Sequence, residues 1–376
     1  MTASKHRRVA ISGYYGCGNA GDEAVLAGIR DSFARLAGDR VALTALSQHP
    51  EETYALHGIE AANRLDLRTL KSVIGSSNLL ISGGGSLLQD TTSLKSLLYY
   101  LYVMRIAIAQ KIPLMMYAQG IGPLKRRISR TLVRMTANHA AHITVRDSAS
   151  AELLRSIGVK RPAIDVTADP AFALDSAPDA IVSQLLGRNG LGGITATSGG
   201  HIAVALRPWG ERSPALLKKY CELLSAIEKR TGRECILLPM HHPDDLNFAD
   251  ALNNEMGGRF KILRENCGPE IVLGIVARMD CVVAMRLHTL IFAARGCVPA
   301  FALAYDPKVT QLMRGLEAQD FTADWRDFDI AAVVPGVERL LQQRQMHSET
   351  LEARSLEREQ AALKSCEIAL QIMGLS

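Results

Sequence analysis

With 376 residues, the chain is longer than one ordinary domain, and its length favours two domains. Nearly half of the residues (48%) are hydrophobic and only 5% are aromatic, a composition typical of an α/β protein with aliphatic cores. The formal net charge of +5 suits anionic small molecules or an anionic membrane surface, but it is too small for a nucleic-acid-binding domain and excludes nucleic acid as an expected partner.

The first half of the chain alternates strand and helix patterns. Apolar runs bounded by Gly or Pro predict strands at 8–13, 41–47, 78–85, 112–120 and 141–147. The most apolar helical stretch, 97–110, is too short to span a membrane and contains Arg105, so it predicts a core helix. Near-continuous apolar strands separated by helices predict a parallel sheet covered on both faces. Residues 1–190 are therefore predicted to form an N-terminal Rossmann-like domain.

The second half repeats this alternation after a stretch rich in Gly, Ser and Thr at 185–200, which predicts the linker. Further strands are predicted at 201–208, 234–240, 260–265, 280–285 and 298–305. Residues 200–326 therefore predict a C-terminal Rossmann-like domain, and the charged tail 327–376 predicts two helices that cross back over the domains. The fold class is α/β, with two facing doubly wound domains expected to bind ligands at the carboxyl ends of their strands.

The first strand leads into G-x-G-x-x-G at residues 16–21, the spacing of a dinucleotide fingerprint. The second strand, however, ends in Gln48 and His49 and lacks the carboxylate that would bind a ribose. Asp22 and Glu23 follow the last glycine and would repel a pyrophosphate at the helix start. The loop therefore predicts a ligand other than a dinucleotide, with the alternative that Asp22 is simply a helix N-cap.

A sharper signal lies where the strand at 280–285 runs into Arg286, His288 and Thr289 and then an apolar helix. A guanidinium, helix-start N–H groups and a titratable imidazole together favour an anion pocket. The alternative is that His288 and Thr289 cap the helix while Arg286 pairs with a nearby acid. Arg146 ends a strand of the first domain in the same way, so the two arginines are expected to bind one small dianion.

Two glycine-rich loops, 81–90 and 117–124, also follow strands and are expected on the same rim. Glycine lets a bulky polar ligand approach the backbone closely, although ordinary turns would have the same composition. The next loop of interest, His241-His242 followed by Asp244 and Asp245, is interpreted as a rim loop near the donor and not as a metal site, because adjacent histidines after a strand point apart.

The motifs GYYGCGNAGDEA, ISGGGSLLQD, YAQGIGPL, TVRDSAS, RLHTLIFAA and AYDPKV occur in this order over about residues 8–310. Together they resemble the polysaccharide pyruvyltransferase family, in particular its CsaB-type cell-wall members. The resemblance implies a GT-B-like architecture and transfer of pyruvate from phosphoenolpyruvate to the 4,6-hydroxyls of an N-acetylmannosamine residue. In the family this sugar belongs to a lipid-linked precursor of a secondary cell-wall polymer that anchors S-layer proteins, and galactose-containing exopolysaccharide acceptors stay open.

Position and resemblance together assign roles to individual residues. His288 is the principal acid/base, and Asp22 is a second catalytic residue or a sugar contact. Donor binding is assigned to Arg146, Arg286, Thr289 and Lys308. Acceptor binding is assigned to Asn19, Gly21, Gly84, Gly85 and Gln89. Phosphoenolpyruvate is a co-substrate, so no cofactor and no metal are expected; which arginine holds the carboxylate and which the phosphate stays open.

The expected partners are phosphoenolpyruvate and a lipid-diphosphate-linked amino-sugar disaccharide, with the oligomeric state open. Seven scattered cysteines without a C-x-x-C pair predict reduced thiols in the cytoplasm, and the N-terminus does not resemble a signal peptide. The basic stretch 124–135 predicts an amphipathic helix. A solvated face is its default interpretation, and peripheral docking at the inner face of the cell membrane is the functional alternative.

Two other functions compete with this reading. A nucleotide-sugar glycosyltransferase of the same architecture would place Glu270 near the ribose of its donor. A catalytically silent scaffold of wall-polymer assembly would tolerate replacement of Arg286 and His288.

Overall fold

Two parallel β-sheets organise the chain in the computed structural model, which describes residues 6–91, 93–208 and 213–375. The first unit contains the chain up to Cys17, Asp22–Leu174 and the residues from Arg358 onwards. The second unit contains Gly18–Gly21 and Asp175–Glu357. The predicted class, α/β with two parallel sheets and C-terminal helices, is confirmed.

The sheet of the first unit consists of β1 (Arg7–Tyr15), β2 (Val41–Ser47), β3 (Glu60–Asn63), β4 (Leu79–Gly83), β5 (Leu114–Gln119), β6 (His142–Val145) and β7 (Ile164–Val166). Its order is β3-β2-β1-β4-β5-β6-β7, and all neighbours are parallel. The helices of this part of the chain are α1 (Ala20–Ala37), α2 (Pro50–His57), α3 (Leu67–Gly75), α4 (Leu94–Ala109), α5 (Arg127–Ala137) and α6 (Ser148–Ser156).

Aliphatic clusters cover both faces of this sheet, as alternation along the strands requires. Ala10 belongs to one cluster with the inner sides of α3 to α6, whereas its neighbours Val9 and Ile11 belong to the other. The second cluster contains α1 and Cys366, Ile368 and other residues from the C-terminal end of the chain. The inner faces of α4 and α1 thus lie on opposite sides of the sheet.

The sheet of the second unit consists of β8 (His201–Ala205), β9 (Glu234–Leu237), β10 (Lys261–Ile262), β11 (Cys281–Ala284), β12 (Ala300–Ala304) and β13 (Thr322–Asp324). Its order is β10-β9-β8-β11-β12-β13, again with parallel neighbours. The remaining helices are α7 (Asp179–Arg188), α8 (Pro214–Thr231), α9 (Asp244–Glu255), α10 (Pro269–Val276), α11 (Leu287–Arg295), α12 (Pro307–Gly315), α13 (Ile330–Gln342) and α14 (Arg344–Ile372).

The division of the chain differs from the predicted boundary near residues 190–200, because α7 packs on the second unit. The Arg278 guanidinium donates to the Asp179 carbonyl at 2.9 Å and to the Ser183 hydroxyl at 3.0 Å. Helix α14 leaves the second unit after Glu357. Near its end, the Ser365 hydroxyl lies 2.9 to 3.0 Å from hydroxyls of the first unit, which fixes this end of the tail.

Both sheets share one topological feature that matters for ligand binding. The order of each sheet reverses at a pair of central strands, β1 and β4 in the first and β8 and β11 in the second. The loops at the carboxyl ends of such a pair diverge and leave a crevice, where open α/β sheets bind their ligands. Ligand-binding residues are therefore expected at the two switch points.

Candidate active site

In the loop after β1, other atoms of the protein occupy the space that a side chain would need at each glycine of the motif. Gly16 has a φ of +68°, and a Cβ there would lie 2.2 Å from the Ser47 hydroxyl oxygen. Its N–H donates to the Glu23 carboxylate at 2.8 Å, and the other oxygen of Glu23 lies 2.9 Å from the His57 imidazole. Glu23 is thus a buried structural carboxylate that fixes the turn, and Gly16 is required by the path of the backbone.

The other two glycines of the motif contact the second unit, to which residues 18–21 belong. A Cβ on Gly18, whose φ is +69°, would lie 2.8 Å from the His242 carbonyl oxygen. A Cβ on Gly21 would lie 2.2 Å from Nδ1 of His288. Because all three glycines are explained by neighbours within the protein, their spacing gives no support to a dinucleotide site.

Helix α1 is capped by Asn19 and not by Asp22. The Asn19 side-chain oxygen accepts the N–H of Gly21 at 3.1 Å, and the N–H of Ala20 donates to the Met240 carbonyl at 2.8 Å. Asp22 therefore lies inside the first turn, and the alternative that it serves as the N-cap is wrong. Asn19 and Gly21, predicted on the acceptor side in the N-terminal domain, are instead residues of the second unit.

Asp22 itself lies in the first unit, close to the loop after β4 at the switch point. An ideal Cβ on Gly85 would lie 3.0 Å from the Asp22 Oδ1 atom. The negative charge of Asp22 raises the pKa of Tyr15 further, after burial, which is the largest cause. Gly84 and Gly85 both have positive φ, and a side chain on Gly84 would collide with Val25. This carboxylate thus lies beside the glycine backbone of the loop after β4.

Gln89, the last acceptor residue predicted from this loop, is engaged locally. Its side-chain oxygen accepts the backbone N–H of Thr91 at 2.8 Å and the Thr91 hydroxyl at 2.7 Å. This contact fixes a turn, and the acceptor role of Gln89 stays a prediction.

Arg286 precedes α11 at the switch point of the second sheet. Its Nε donates to the Asp245 carboxylate at 2.8 Å, and its Nη2 donates to the other oxygen of the same carboxylate. Both side chains are buried, and Asp245 also accepts the N–H of Met240 at 3.1 Å. The pairing with a nearby acid is therefore present, and it fixes the fork while using two of its five N–H donors.

Arg207 follows the neighbouring strand β8 and was not found by the sequence analysis. Its guanidinium carbon lies 5.0 Å from the centre of the Tyr305 ring, and its Nη1 donates to the Tyr305 hydroxyl at 3.4 Å. Burial lowers the pKa of Arg207, and the positive charge of Arg286 lowers it further. An arginine nevertheless stays charged. Arg207 and Arg286 each stand two residues after Ala205 and Ala284, which pair in β8 and β11, so two positive charges start from neighbouring positions of this sheet edge.

His288, Thr289 and Lys308 complete the predicted donor residues. His288 is half-buried in the first turn of α11, with its imidazole against Gly21. The Thr289 hydroxyl is buried and has no hydrogen-bond partner within the described part of the chain. Lys308 is the second residue of α12, and its ammonium nitrogen lies 3.6 Å from the Asp306 carboxylate, which compensates its charge. The structure therefore brings Gly21, Arg286, His288 and Thr289 together in the second unit.

Arg146, the predicted partner of Arg286, belongs to the first unit and is also paired. Its Nη1 donates to the buried Asp169 carboxylate at 2.6 Å and its Nη2 to the Ser86 hydroxyl at 3.0 Å. A Cβ on Gly120 would lie 2.8 Å from this guanidinium. Arg146 thus fixes the loop after β4 through Ser86, and its donor-binding role stays a prediction.

A second arginine of the first unit, Arg64, escaped the sequence analysis because it follows β3, an edge strand that the pattern did not predict. Its side chain is buried and donates to the Gly13 carbonyl at 3.2 Å and to the Tyr100 hydroxyl at 3.3 Å. The guanidinium carbon lies 4.6 Å from the Tyr99 ring centre and 5.8 Å from that of Tyr14. Within the described residues its Nε has no partner.

The described ranges contain no group of three or more His, Cys, Asp or Glu side chains arranged for a metal ion. His241 lies 3.8 Å from the Asp244 carboxylate, and Asp245 binds Arg286 as described. The expectation of chemistry without a metal or cofactor stays a prediction. No helix in the same ranges is both long and apolar enough to cross a membrane.

Comparison with known proteins gives a family and a fold. A family model described as polysaccharide pyruvyl transferase matches residues 19–307. The amylovoran biosynthesis protein AmsJ of Erwinia amylovora is 22% identical in an alignment 390 residues long. The alignment covers 88% of this chain and 92% of AmsJ.

Two solved structures are similar in fold. The UDP-GlcNAc 2-epimerase of Methanocaldococcus jannaschii is 12% identical, with a TM-score of 0.66, and the match covers 97% of this chain and 99% of that one. Anabaena Alr3699/HepE, solved in complex with UDP-glucose, is 13% identical, with a TM-score of 0.61 and coverage of 98% and 99%. At these identities the two structures show a GT-B-like fold alone.

Proposed function

This chain belongs to the polysaccharide pyruvyl transferase family, and we propose that it transfers pyruvate from phosphoenolpyruvate to two hydroxyls of a polysaccharide sugar as a ketal. The observation that supports this donor most directly is the group at the switch point of the second sheet. Arg207 and Arg286 follow the paired strands β8 and β11, the charge of Arg286 acts on Arg207, and His288 stands two residues after Arg286 in the first turn of α11. Phosphoenolpyruvate carries a carboxylate and a phosphate on one carbon, and paired guanidinium groups match two such anions.

Arg286 and Arg207 have different parts in this proposal. Asp245 fixes the Arg286 fork, so that its remaining donors are held in one direction before the ligand binds. Because the negative charge of Asp245 compensates the positive charge of Arg286, Arg207 provides the net positive charge for the anion. The Tyr305 ring orients the Arg207 guanidinium. The buried Thr289 hydroxyl offers one further hydrogen bond to the anion. Lys308, compensated by Asp306, contributes less charge than the sequence analysis assigns to it.

The reaction needs a proton at the methylene carbon of the donor. We assign this proton to His288, because an imidazole exchanges protons near neutral pH. Protonation makes C2 electrophilic, and a sugar hydroxyl attacks it and loses its proton. The bond from C2 to the phosphate oxygen then breaks, phosphate leaves, and the second hydroxyl attacks C2 to close the ketal ring. Of the two hydroxyl protons, one replaces the proton given to the methylene group and the other leaves with phosphate.

On the acceptor side we assign Asp22 as the residue that hydrogen-bonds a sugar hydroxyl and accepts its proton. Its proximity to Gly85 in the loop after β4, at the switch point of the first sheet, supports this. Asp22 belongs to the first unit, whereas His288 belongs to the second. The two proton-transfer roles therefore fall on a carboxylate in the first turn of α1 and an imidazole in the first turn of α11.

The acceptor implied by the sequence resemblance is an N-acetylmannosamine residue of a lipid-diphosphate-linked wall-polymer precursor, bound from the cytoplasm. We propose this acceptor first, with S-layer anchoring as the use of the finished polymer. The similarity to AmsJ, a protein named for amylovoran biosynthesis, supports an exopolysaccharide repeat unit as the competing acceptor. Either acceptor requires the same donor and the same ketal chemistry.

The proposal is tested by incubating the protein with phosphoenolpyruvate and each of two synthetic acceptors, an N-acetylmannosamine-containing and a galactose-containing lipid-diphosphate analogue. Release of phosphate together with a mass gain of one pyruvate ketal on the sugar supports it, and the responding analogue identifies the acceptor. Phosphate release without a modified sugar would contradict transfer to these acceptors. Stabilisation of the protein against heat by UDP, with no response to phosphoenolpyruvate, would instead favour a glycosyltransferase, which the fold shared with HepE permits.

A further inference from the structure

One segment of the first unit concentrates positive charge. Residues 91–146 contain no Asp or Glu and nine Lys and Arg residues, whereas the whole chain has a net charge of only +5. The nine cations are Lys95, Arg105, Lys111, Lys125, Arg126, Arg127, Arg130, Arg134 and Arg146. The remainder of the chain is therefore slightly acidic. Except for Arg146, these cations form no ion pair with a carboxylate in the part of the chain that the structure describes.

Helix α4 exposes cations and large apolar side chains in a single stripe. Lys95, Leu98, Tyr102 and Arg105 follow one another at intervals of three and four residues, so they share one side of the helix. Leu98 is 44% exposed and Tyr102 is 41% exposed, although the opposite side of α4 is buried in the core of the unit. The outer side of α4 therefore places two large apolar side chains between two cations.

Helix α5 repeats this arrangement. Arg127, Ile128, Arg134 and Met135 are exposed, with 62% of Ile128 and 48% of Met135 accessible to solvent. The opposite side of the helix is buried through Val133 and its neighbours. Lys125, Arg126 and Arg130 add further exposed positive charge beside this stripe. One side of α5 is thus apolar and packs in the core, and its outer side exposes both arginines and large apolar residues.

The two stripes belong to one surface, because α4 and α5 pack against each other on the same face of the first sheet. We define the α4–α5 face by its exposed side chains Lys95, Leu98, Tyr102, Arg105, Arg127, Ile128, Arg134 and Met135. We propose that the α4–α5 face binds the surface of an anionic lipid bilayer. This goes beyond the proposed reaction and depends on none of its residues.

A bilayer fits this face better than a soluble polyanion does. Phosphate headgroups would neutralise the cations, and the aliphatic stems of Lys and Arg would let their charges reach the headgroups while the apolar tips enter the interface. A soluble polyanion would use the charges and leave Leu98, Tyr102, Ile128 and Met135 in water. The mixture of the two residue classes therefore selects the lipid surface.

The test is vesicle flotation with the full chain, comparing phosphatidylcholine vesicles that contain phosphatidylglycerol with vesicles of phosphatidylcholine alone. Because each basic residue near an anionic surface contributes about fivefold to binding, Arg127→Glu with Arg134→Glu is expected to lower the partition coefficient by at least about tenfold. The matched control is Lys218→Glu with Lys229→Glu, which makes the same charge change on exposed residues of α8 and is expected to lower binding less than about twofold. Ile128→Ser with Met135→Ser removes the apolar contribution alone and is expected to lower binding by several-fold at unchanged charge.

Equal losses for the α5 and α8 charge variants would overturn the proposal, because binding would then depend on net charge alone. So would stronger capture by soluble heparin than by vesicles, together with no effect of the Ile128 and Met135 changes. Thermal unfolding of each variant verifies that the fold persists. Transfer to a water-soluble acceptor is expected to be unchanged in the Arg127 and Arg134 variant, so a failure of the proposed reaction is distinguishable from a failure of this inference.

Discussion

The carboxyl edges of the two sheets follow one plan and carry different chemistry. Each edge has one arginine paired with a buried aspartate, Arg146 with Asp169 and Arg286 with Asp245. Each edge also has an arginine on a tyrosine ring, Arg64 in the first unit and Arg207 in the second.

The groups beside the switch points differ. In the second unit the imidazole of His288 stands there, and in the first unit the carboxylate of Asp22 stands there. Each edge thus carries an arginine bound to aspartate and an arginine on a tyrosine ring, and the titratable neighbour differs between them. In the proposed reaction, the edge with His288 binds the anionic donor and the edge with Asp22 binds the hydroxylic acceptor.

The largest expected loss of activity follows from replacing His288, the titratable group at the edge of the second sheet. His288→Gln keeps the size and polarity of the side chain but removes its proton-transfer capacity, so the turnover of phosphoenolpyruvate is expected to fall by about 1,000-fold. Binding of phosphoenolpyruvate, measured by thermal shift, should persist. His201→Gln, at the opposite end of β8, is the control and should retain most activity. Equal activity losses in both variants would remove His288 from the proposed mechanism.

The next prediction concerns the paired arginine of the second edge. Arg286→Met leaves the buried Asp245 carboxylate without its partner, which is expected to lower the free energy of unfolding by about 3–5 kcal/mol. The double variant Arg286→Met with Asp245→Leu removes both charges and should recover much of that stability without recovering transfer. Chemical denaturation measures the first effect and phosphate release the second. A double variant with normal turnover would show that the pair has only a structural role.

A comparison within the first edge is expected to give a smaller difference. Arg146→Met strands Asp169 in the interior, whereas Arg64→Met strands no carboxylate and loses hydrogen bonds and cation–π contacts. We expect a loss of about 3 kcal/mol for Arg146→Met and about 1–2 kcal/mol for Arg64→Met. Urea denaturation of the two variants checks this order. The reverse order would mean that the Arg64 contacts, and not the buried ion pair, hold this edge together.

The smallest expected effect concerns Gly21. Alanine is the better helix former by about 1 kcal/mol, so Gly21→Ala should be tolerated by α1 as a helix. Its Cβ would nevertheless displace the His288 ring, and the turnover number is expected to fall about tenfold, since small displacements of catalytic groups are costly. Gly187→Ala, in a helix where an added Cβ would meet no atom within 4 Å, is the matched control. Unchanged turnover in the Gly21 variant would show that the ring position is not critical.

The sequence was sufficient for the central strands, because their near-continuous apolar runs leave few alternatives. It missed β3, β7 and β13, which are short edge strands with half-exposed residues. Arg64 was lost with β3, whereas Arg207 carried the same signal as Arg286, an arginine just after a buried strand.

Contacts between residues far apart in the chain could not be predicted from the sequence. No local pattern couples Arg286 to Asp245 or Arg146 to Asp169, because each pair is formed only when separate loops meet. The same reason explains why residues 18–21 were assigned to the first domain. Their hydrogen bonds to residues 240–242 are long-range, and only the folded chain reveals them.

The first unit is formed by two separate parts of the chain, most of the residues before Asp175 and those from Arg358 onwards, so a single cut cannot isolate it intact. A fragment that ends at Leu174 would lose Ile368, Ala369 and Met373, which cover aliphatic side chains of β1 and α1 in the intact protein. Such a fragment should aggregate when expressed alone, and a separately supplied peptide of residues 358–376 should rescue its solubility. Proteolysis at one linker therefore cannot release the first unit with its complete core.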